Sequence, residues 1–145
     1  MDEKNPLKLE NQLCFPLYAC SKEIIKLYKP FLDNLDLTYT QYIAMMVMWE
    51  YKKLTAHELG EKLYLDSGTL TPMLKKLEVK GYIERARSKK DERNLDVTIT
   101  DEGMKLREKA LSVPGSLSKC IPLDTNKALE LYNTLNELLN LLKKW

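Results

Sequence analysis

The sequence predicts a mainly helical fold carrying one small β-hairpin, on three observations. Apolar residues recur at helical spacing along most of the chain, and Thr-x-x-Gln and Thr-x-x-Glu start signals punctuate them. The period drops to two in only one place, around Tyr82-Ile83 and Leu95-Val97-Ile99, with the polar run Ser88 to Asn94 between. Three short helical segments precede that place and further helices flank it.

Leu9, Leu13, Leu17, Ile24 and Leu27 predict a long first helix from Leu7 to about Tyr28, ending before Pro30. Pro16 falls inside it and removes a backbone donor to the Gln12 carbonyl, so a kink or a late start to the regular helix is expected. Thr38-x-x-Gln41 and Thr55-x-x-Glu58 open helices over about 39–51 and 56–63. A further helix is expected from about Gly68 to Lys80, stopped at Gly81, a residue type that tolerates the left-handed turn. After the hairpin, Thr100 caps a helix to about Leu111, Val113-Pro114-Gly115 breaks it, and a final helix runs from about Asp124.

At 145 residues, 44% hydrophobic and 30% charged, the chain has the size and balance of one globular domain. Its formal charge is only +2, but from Pro72 to Leu95 it is +4, which leaves −2 for the remainder. No stretch approaches the roughly 20 apolar residues that span a bilayer, and the N-terminus is polar, so a cytoplasmic location is expected. Cys14, Cys20 and Cys120 are an odd count without a secretion signal, which points to free thiols. With the single His57 they show no zinc-ligand spacing, so no metal is expected, and His57 reads as a surface residue. No Ser-His-Asp set and no phosphate-binding glycine loop is visible, so neither a cofactor nor an enzyme is expected. Met45, Met46 and Met48 with Trp49 read as core and pocket wall.

Three helices followed by a two-stranded hairpin is the order of a winged helix-turn-helix. In that arrangement one helix enters the major groove and the basic hairpin reaches the adjacent minor groove or backbone. The +4 window covers the end of the candidate recognition helix and the wing; a small α+β domain with a solvated charged hairpin is the other reading. In the final helix, Ala128, Leu131, Tyr132, Leu135, Leu138, Leu139, Leu142 and Trp145 form a stripe that one chain of this size has little left to cover. Paired with the long first helix and with the same pair from a second copy, it predicts a homodimer with two recognition helices about 34 Å apart; packing of the stripe on its own domain is the other reading. The chain then divides into an N-terminal dimerisation and sensor segment, 1–35, a winged region, 36–112, and a C-terminal dimerisation region, 113–145, folding as one domain within the dimer.

The segment Asp91-Glu92-Arg93-Asn94-Leu95-Asp96-Val97-Thr98-Ile99-Thr100-Asp101-Glu102-Gly103 resembles the wing signature D-x-R-x-x-x-V-x-L-T-x-x-G of the MarR family of bacterial transcription regulators, with Ile99 in place of Leu. Leu9 to Phe15, Tyr28-Lys29-Pro30, Leu37-Thr38-Tyr39 and Tyr64 to Leu74 further resemble the organic-hydroperoxide repressor branch, OhrR. Pro16, directly after Cys14-Phe15, departs from the helix-compatible residue usual there.

The resemblance implies a redox-sensing repressor that holds an inverted-repeat operator as a dimer and releases it when organic hydroperoxide oxidises Cys14. Near the start of the first helix, Cys14 meets unpaired N–H groups that favour a thiolate, and a thiolate cleaves a peroxide O–O bond to become a sulfenic acid. The family's sensing pocket maps onto Phe15, Tyr18, Tyr28 and Tyr39. Cys14 and Tyr28 stand about 21 Å apart on a continuous helix, so they can meet only across an antiparallel dimer. Two-cysteine members imply a disulfide from Cys14 to Cys120 of the opposite subunit; capping of Cys14 by a small cellular thiol is the alternative. Cys20, about 240° around the helix from Cys14, reads as packing. For DNA, the family match and the chemistry pick Asp66, Ser67, Gly68, Thr69, Thr71, Lys75 and Lys76 on the recognition helix, with Arg85, Arg87, Asp91 and Arg93 on the wing, Arg93 in the minor groove. Two other functions stay open: a regulator whose interface pocket takes a small aromatic effector, and a thiol peroxidase using Cys14 and Cys120.

Overall fold

The computed structural model describes residues 5–88 and 94–143. After a 3-10 turn at Leu9–Asn11 come α1 (Cys14–Asp33), α2 (Tyr39–Tyr51), β1 (Lys53–Thr55), α3 (Ala56–Leu63), α4 (Ser67–Val79), β2 (Ile83–Arg87), β3 (Leu95–Ile99), α5 (Asp101–Ala110), α6 (Val113–Ser118) and α7 (Thr125–Leu142). The fold is a mainly helical winged helix-turn-helix, as expected from the sequence. Both capping boxes are formed. Thr38 Oγ1 accepts from Gln41 N–H at 3.3 Å while Gln41 Oε1 accepts from Thr38 N–H at 3.0 Å. Thr55 and Glu58 repeat the exchange at the head of α3.

Two local expectations are corrected, at Pro30 and at Val113-Pro114-Gly115, and one, at Pro16, is met. The first helix does not end before Pro30: α1 runs to Asp33, and Asn34 Nδ2 donates to the Pro30 carbonyl at 3.2 Å. Proline costs one backbone bond, and a single turn beyond it survives because Leu32, with Leu35 and Leu37 just after, is buried in the core. Of the two outcomes expected at Pro16, a kink or a late start, the structure shows the late start, at Cys14. Pro16 therefore occupies the first turn, where its missing N–H has no intrahelical acceptor, and Phe15 N–H takes the Gln12 carbonyl at 3.2 Å. Val113-Pro114-Gly115, expected as a break, opens α6 with Pro114 in its first turn.

The hairpin is part of a three-stranded antiparallel sheet ordered β1-β3-β2, and β1 was not foreseen. Leu54 stands opposite Val97 and Ile83 opposite Ile99, so the wing is anchored from both sides of β3. Lys53 Nζ meets Asp96 Oδ2 at 2.9 Å across the β1 edge. At the other end of the strands, Ser88 N–H donates to the Asn94 carbonyl at 2.9 Å.

The core lies between α2, α3, α4 and the sheet. On α4, Leu70, Met73, Leu74 and Leu77 are buried at helical spacing, each side chain contributing about 1.5–3 kcal/mol relative to exposure. From α2 come Tyr42, Ala44, Met45 and Met48; Met46 remains exposed. The turn between α3 and α4 is closed by Tyr64 in the left-handed region, φ 55°, with Leu65 N–H donating to the Gly60 carbonyl at 3.0 Å. Among the described residues, no helix is long and apolar enough to cross a membrane.

Candidate nucleic-acid interface and redox site

The outward face of α4 is built by its cap. Asp66 is extended, its Oδ1 accepts from Thr69 N–H at 2.9 Å, and its Oδ2 takes the Thr69 hydroxyl at 3.3 Å. These bonds, the Thr69 backbone donor foremost, hold the Asp66 carboxyl below its ordinary range. With Leu70, Met73, Leu74 and Leu77 turned inward, Ser67, Gly68, Thr69, Thr71, Lys75 and Lys76 are all exposed. Hydroxyls and first-turn N–H groups thus lead the helix, with two ammonium groups a turn or more behind.

On the wing, Arg87 is exposed on β2. Arg85, expected beside it on the DNA backbone, is placed differently: its side chain is only 15% exposed and grips Glu78 of α4. Glu78 Oε2 accepts from Arg85 Nη2 at 2.7 Å and Nε at 3.1 Å, while Oε1 accepts from Arg85 N–H at 2.9 Å. The guanidinium holds the Glu78 carboxyl below its ordinary range. Arg85 therefore ties β2 to α4. The expected tip residues Asp91 and Arg93 lie outside the described residues.

The residues that the family resemblance assigns to oxidant sensing on this side of the molecule are split between the two ends of α1. Cys14 is its first residue, exposed, and no side chain caps this helix start. Phe15 and Tyr18 beside it are exposed too, Tyr18 with Lys22 Nζ 5.0 Å over its ring. Tyr28 and Tyr39 are brought together at the far end, ring centroids 4.9 Å apart. Sequence reasoning missed Tyr42, one helical turn after Tyr39, whose ring lies 5.8 Å from Tyr28 and 6.2 Å from Trp49. Burial pushes the Tyr28 hydroxyl above its usual value, with neighbouring Tyr39 and Tyr42 adding to the shift. Tyr28 is thus a neutral hydrogen-bond donor at physiological pH. Cys120 follows α6, exposed, its Sγ 3.5 Å from the Ser116 carbonyl. Cys20 is exposed on α1 in the single chain.

Helix-turn-helix, anchored wing and polar helix face together define a winged-helix regulator of the MarR type. Residues 26–110 match the family model described as transcriptional regulator SarA/Rot. Over 111 residues, 77% of this chain and 76% of the relative, it is 55% identical to the organic hydroperoxide resistance transcriptional regulator of Bacillus subtilis. Among solved structures it resembles reduced AbfR bound to DNA, at 35% identity and TM-score 0.81, covering 99% of this chain and 98% of that one. AbfR is also solved overoxidised on DNA and with a disulfide formed. A MarR variant from E. coli complexed with operator DNA matches at 26% identity and TM-score 0.77, covering 88% and 93%. The chain belongs to the SarA/Rot family of transcriptional regulators and, among MarR-type proteins, stands with the organic-hydroperoxide branch that its motifs resemble.

Proposed function

We propose that this protein is a homodimeric repressor that holds an inverted-repeat operator while Cys14 is reduced and releases it when organic hydroperoxide oxidises Cys14. One observation carries the reading: α1 is a single helix from Cys14 through Tyr28, which separates thiol and tyrosines by about 21 Å in one chain. A sensor made from both needs a second copy running the other way. The uncovered apolar faces support that copy: α7 buries none of its residues and α1 only Leu32, while Leu17, Ile24 and Leu27 on α1 and Leu131, Tyr132, Leu139 and Leu142 on α7 stay exposed.

In the reaction, the Cys14 thiolate attacks one peroxide oxygen. An S–O bond forms, the O–O bond breaks, and the alkoxide leaves as alcohol after taking a proton. The thiolate of Cys120 on the second copy then attacks the sulfenic sulfur; the S–S bond forms and water leaves. Two electrons have passed from sulfur to peroxide. Loss of the contacts from Tyr28 and Tyr39 to the thiolate then biases the dimer towards a state whose two DNA-reading lobes no longer fit the operator. On DNA, Ser67, Gly68, Thr69 and Thr71 read or clasp the major groove with Asp66 holding the turn. Lys75, Lys76 and Arg87 meet phosphates, Arg85 works through Glu78, and Arg93 braced by Asp91 enters the minor groove.

The test uses a palindromic operator selected from random DNA by the reduced protein. Cumene hydroperoxide should release it from the wild type and produce a covalent dimer on a non-reducing gel. Cys14→Ser should stay bound, and Cys120→Ser should lose the covalent dimer. Release of Cys14→Ser by peroxide would overturn thiol sensing. The aromatic-effector reading draws on an open cavity beside Tyr42, where Met46, Trp49 and Leu111 supply apolar wall and Glu50 and Arg107 supply charge. It predicts a Cys14→Ser protein that still responds to a small aromatic effector. Peroxide turnover beyond one oxidation per subunit would point to the peroxidase.

A further inference from the structure

We infer that Trp49 is the positioning residue that carries the state of the tyrosine cluster to the root of the wing, through its indole hydrogen bond to the Gly103 carbonyl. The inference rests on the redox-sensing reading above and says which side chain links the sensor to the DNA-binding surface.

The link begins at Tyr28 and Tyr39, the pair expected to hold the thiolate. Tyr28 packs at 5.8 Å on Tyr42, which is 3% exposed, and Tyr42 meets the Trp49 ring edge-on at 6.2 Å. Close-packed rings cannot yield gradually. A shift of Tyr28 is passed on as repacking of its neighbours. At the far end of this row, Trp49 Nε1–H donates to the Gly103 carbonyl at 2.8 Å, a bond spanning 54 residues of sequence.

Gly103 is locked to the wing. A Cβ there would lie 2.2 Å from the Tyr82 carbonyl oxygen and 2.8 Å from Ile99 Cγ1, so the first turn of α5 rests directly on the residue just before β2 and the last residue of β3. Thr100 ties the same point together. Its hydroxyl accepts from Gly103 N–H at 3.0 Å and donates to the Gly81 carbonyl at 2.6 Å, and its N–H donates to the Tyr82 carbonyl at 3.1 Å. Whatever displaces the Gly103 carbonyl therefore moves both strands at their base. The movement then passes along β2 and β3, away from α5.

Among the described residues, α2 and α5 share no other side-chain hydrogen bond, so Trp49 is a defined point at which to cut. Trp49→Phe keeps an aromatic ring against Tyr42 and deletes the donor. Operator Kd is measured for fully reduced and fully oxidised protein, with the rate of Cys14 oxidation measured alongside. The expected result is an oxidised-to-reduced Kd ratio about two- to tenfold smaller than in the wild type, at an unchanged oxidation rate. An unchanged ratio, or equal weakening in both states, overturns the inference and leaves the redox reading standing. A wild-type ratio of one removes both. If Trp49→Phe does not fold, Trp145→Phe leaves Trp49 as the sole indole of this two-tryptophan chain. Its emission should then shift on stoichiometric cumene hydroperoxide, at the rate of operator release. Emission that stays constant through release overturns the inference.

Discussion

Replacing Gly103 by alanine should destabilise the protein, against the intrinsic preference of a helix. In a helix interior Gly to Ala ordinarily gains up to about 1 kcal/mol. At Gly103 the added methyl would sit 2.2 Å from the Tyr82 carbonyl oxygen, where ordinary contact begins near 3.4 Å. The obstacle is backbone, itself held by Thr100 N–H, and cannot rotate away. An overpacking cost of about 3 kcal/mol, less the helix gain of about 1 kcal/mol, leaves a net loss of about 2 kcal/mol. For a chain of this length that is a Tm drop of about 4–8 °C. Gly115 in α6 supplies the control, because nothing lies within 4 Å of its hypothetical Cβ. There the same substitution should be neutral or stabilise by up to about 1 kcal/mol. Urea and thermal unfolding at one fixed protein concentration, needed because a dimer's stability depends on it, would compare the two. Gly103→Ala as stable as the wild type would refute the packing argument.

Arg85→Ala should lower operator affinity while leaving the slope of log K against log salt unchanged, since its guanidinium serves Glu78; a slope reduced by about one would place Arg85 on a phosphate. Lys75→Ala should reduce that slope. Glu78, Asp66 and Glu58 are all held below their ordinary carboxyl range. Their contribution to stability is therefore complete above the unfolded values, 4.5 for Glu and 3.8 for Asp, and is lost as pH falls through the lower folded values. Urea midpoints measured between pH 6 and pH 2 should fall, and less so in Glu78→Gln, where Arg85 no longer meets a carboxylate. Tyr28 is shifted the other way, upward by burial. Its contribution is present below pH 10.0 and lost as pH rises through the folded value. Tyr28→Phe should therefore soften the alkaline loss of stability, and phenolate absorbance from Tyr28 should appear at higher pH in the native than in the unfolded protein.

The local signals in the sequence proved strong where chemistry is local. Thr38-Gln41, Thr55-Glu58, Thr100 and Asp124 each cap a helix with their own side chains, a matter of three or four neighbouring residues, so α2, α3, α5 and α7 start where the sequence says. The alternation of Leu95, Val97 and Ile99 marked β3, and the exposed serine and threonines of α4 follow from the spacing of Leu70, Met73, Leu74 and Leu77. β1 was illegible, because three residues carry no period and Lys53–Thr55 is a strand only through β3, more than 40 residues on. The end of α1 was misread at Pro30, where burial of Leu32 outweighs the missing backbone bond.

The sequence by itself determined the winged helix-turn-helix order, the cysteine set and the polar face of α4, since each is written in composition, spacing or short-range hydrogen bonding; Tyr28 and Tyr39 were singled out by the family resemblance, and their packing is tertiary. Only the tertiary structure decided that Arg85 turns to Glu78, that Tyr42 and Trp49 extend the tyrosine pair towards α5, and that Gly103 leaves no room for a side chain against Tyr82. Each of these joins residues distant in sequence on surfaces that meet only after helices and sheet have packed. Pairing of that kind is fixed by shape and by the satisfaction of buried polar groups, neither of which leaves a periodic trace along the chain.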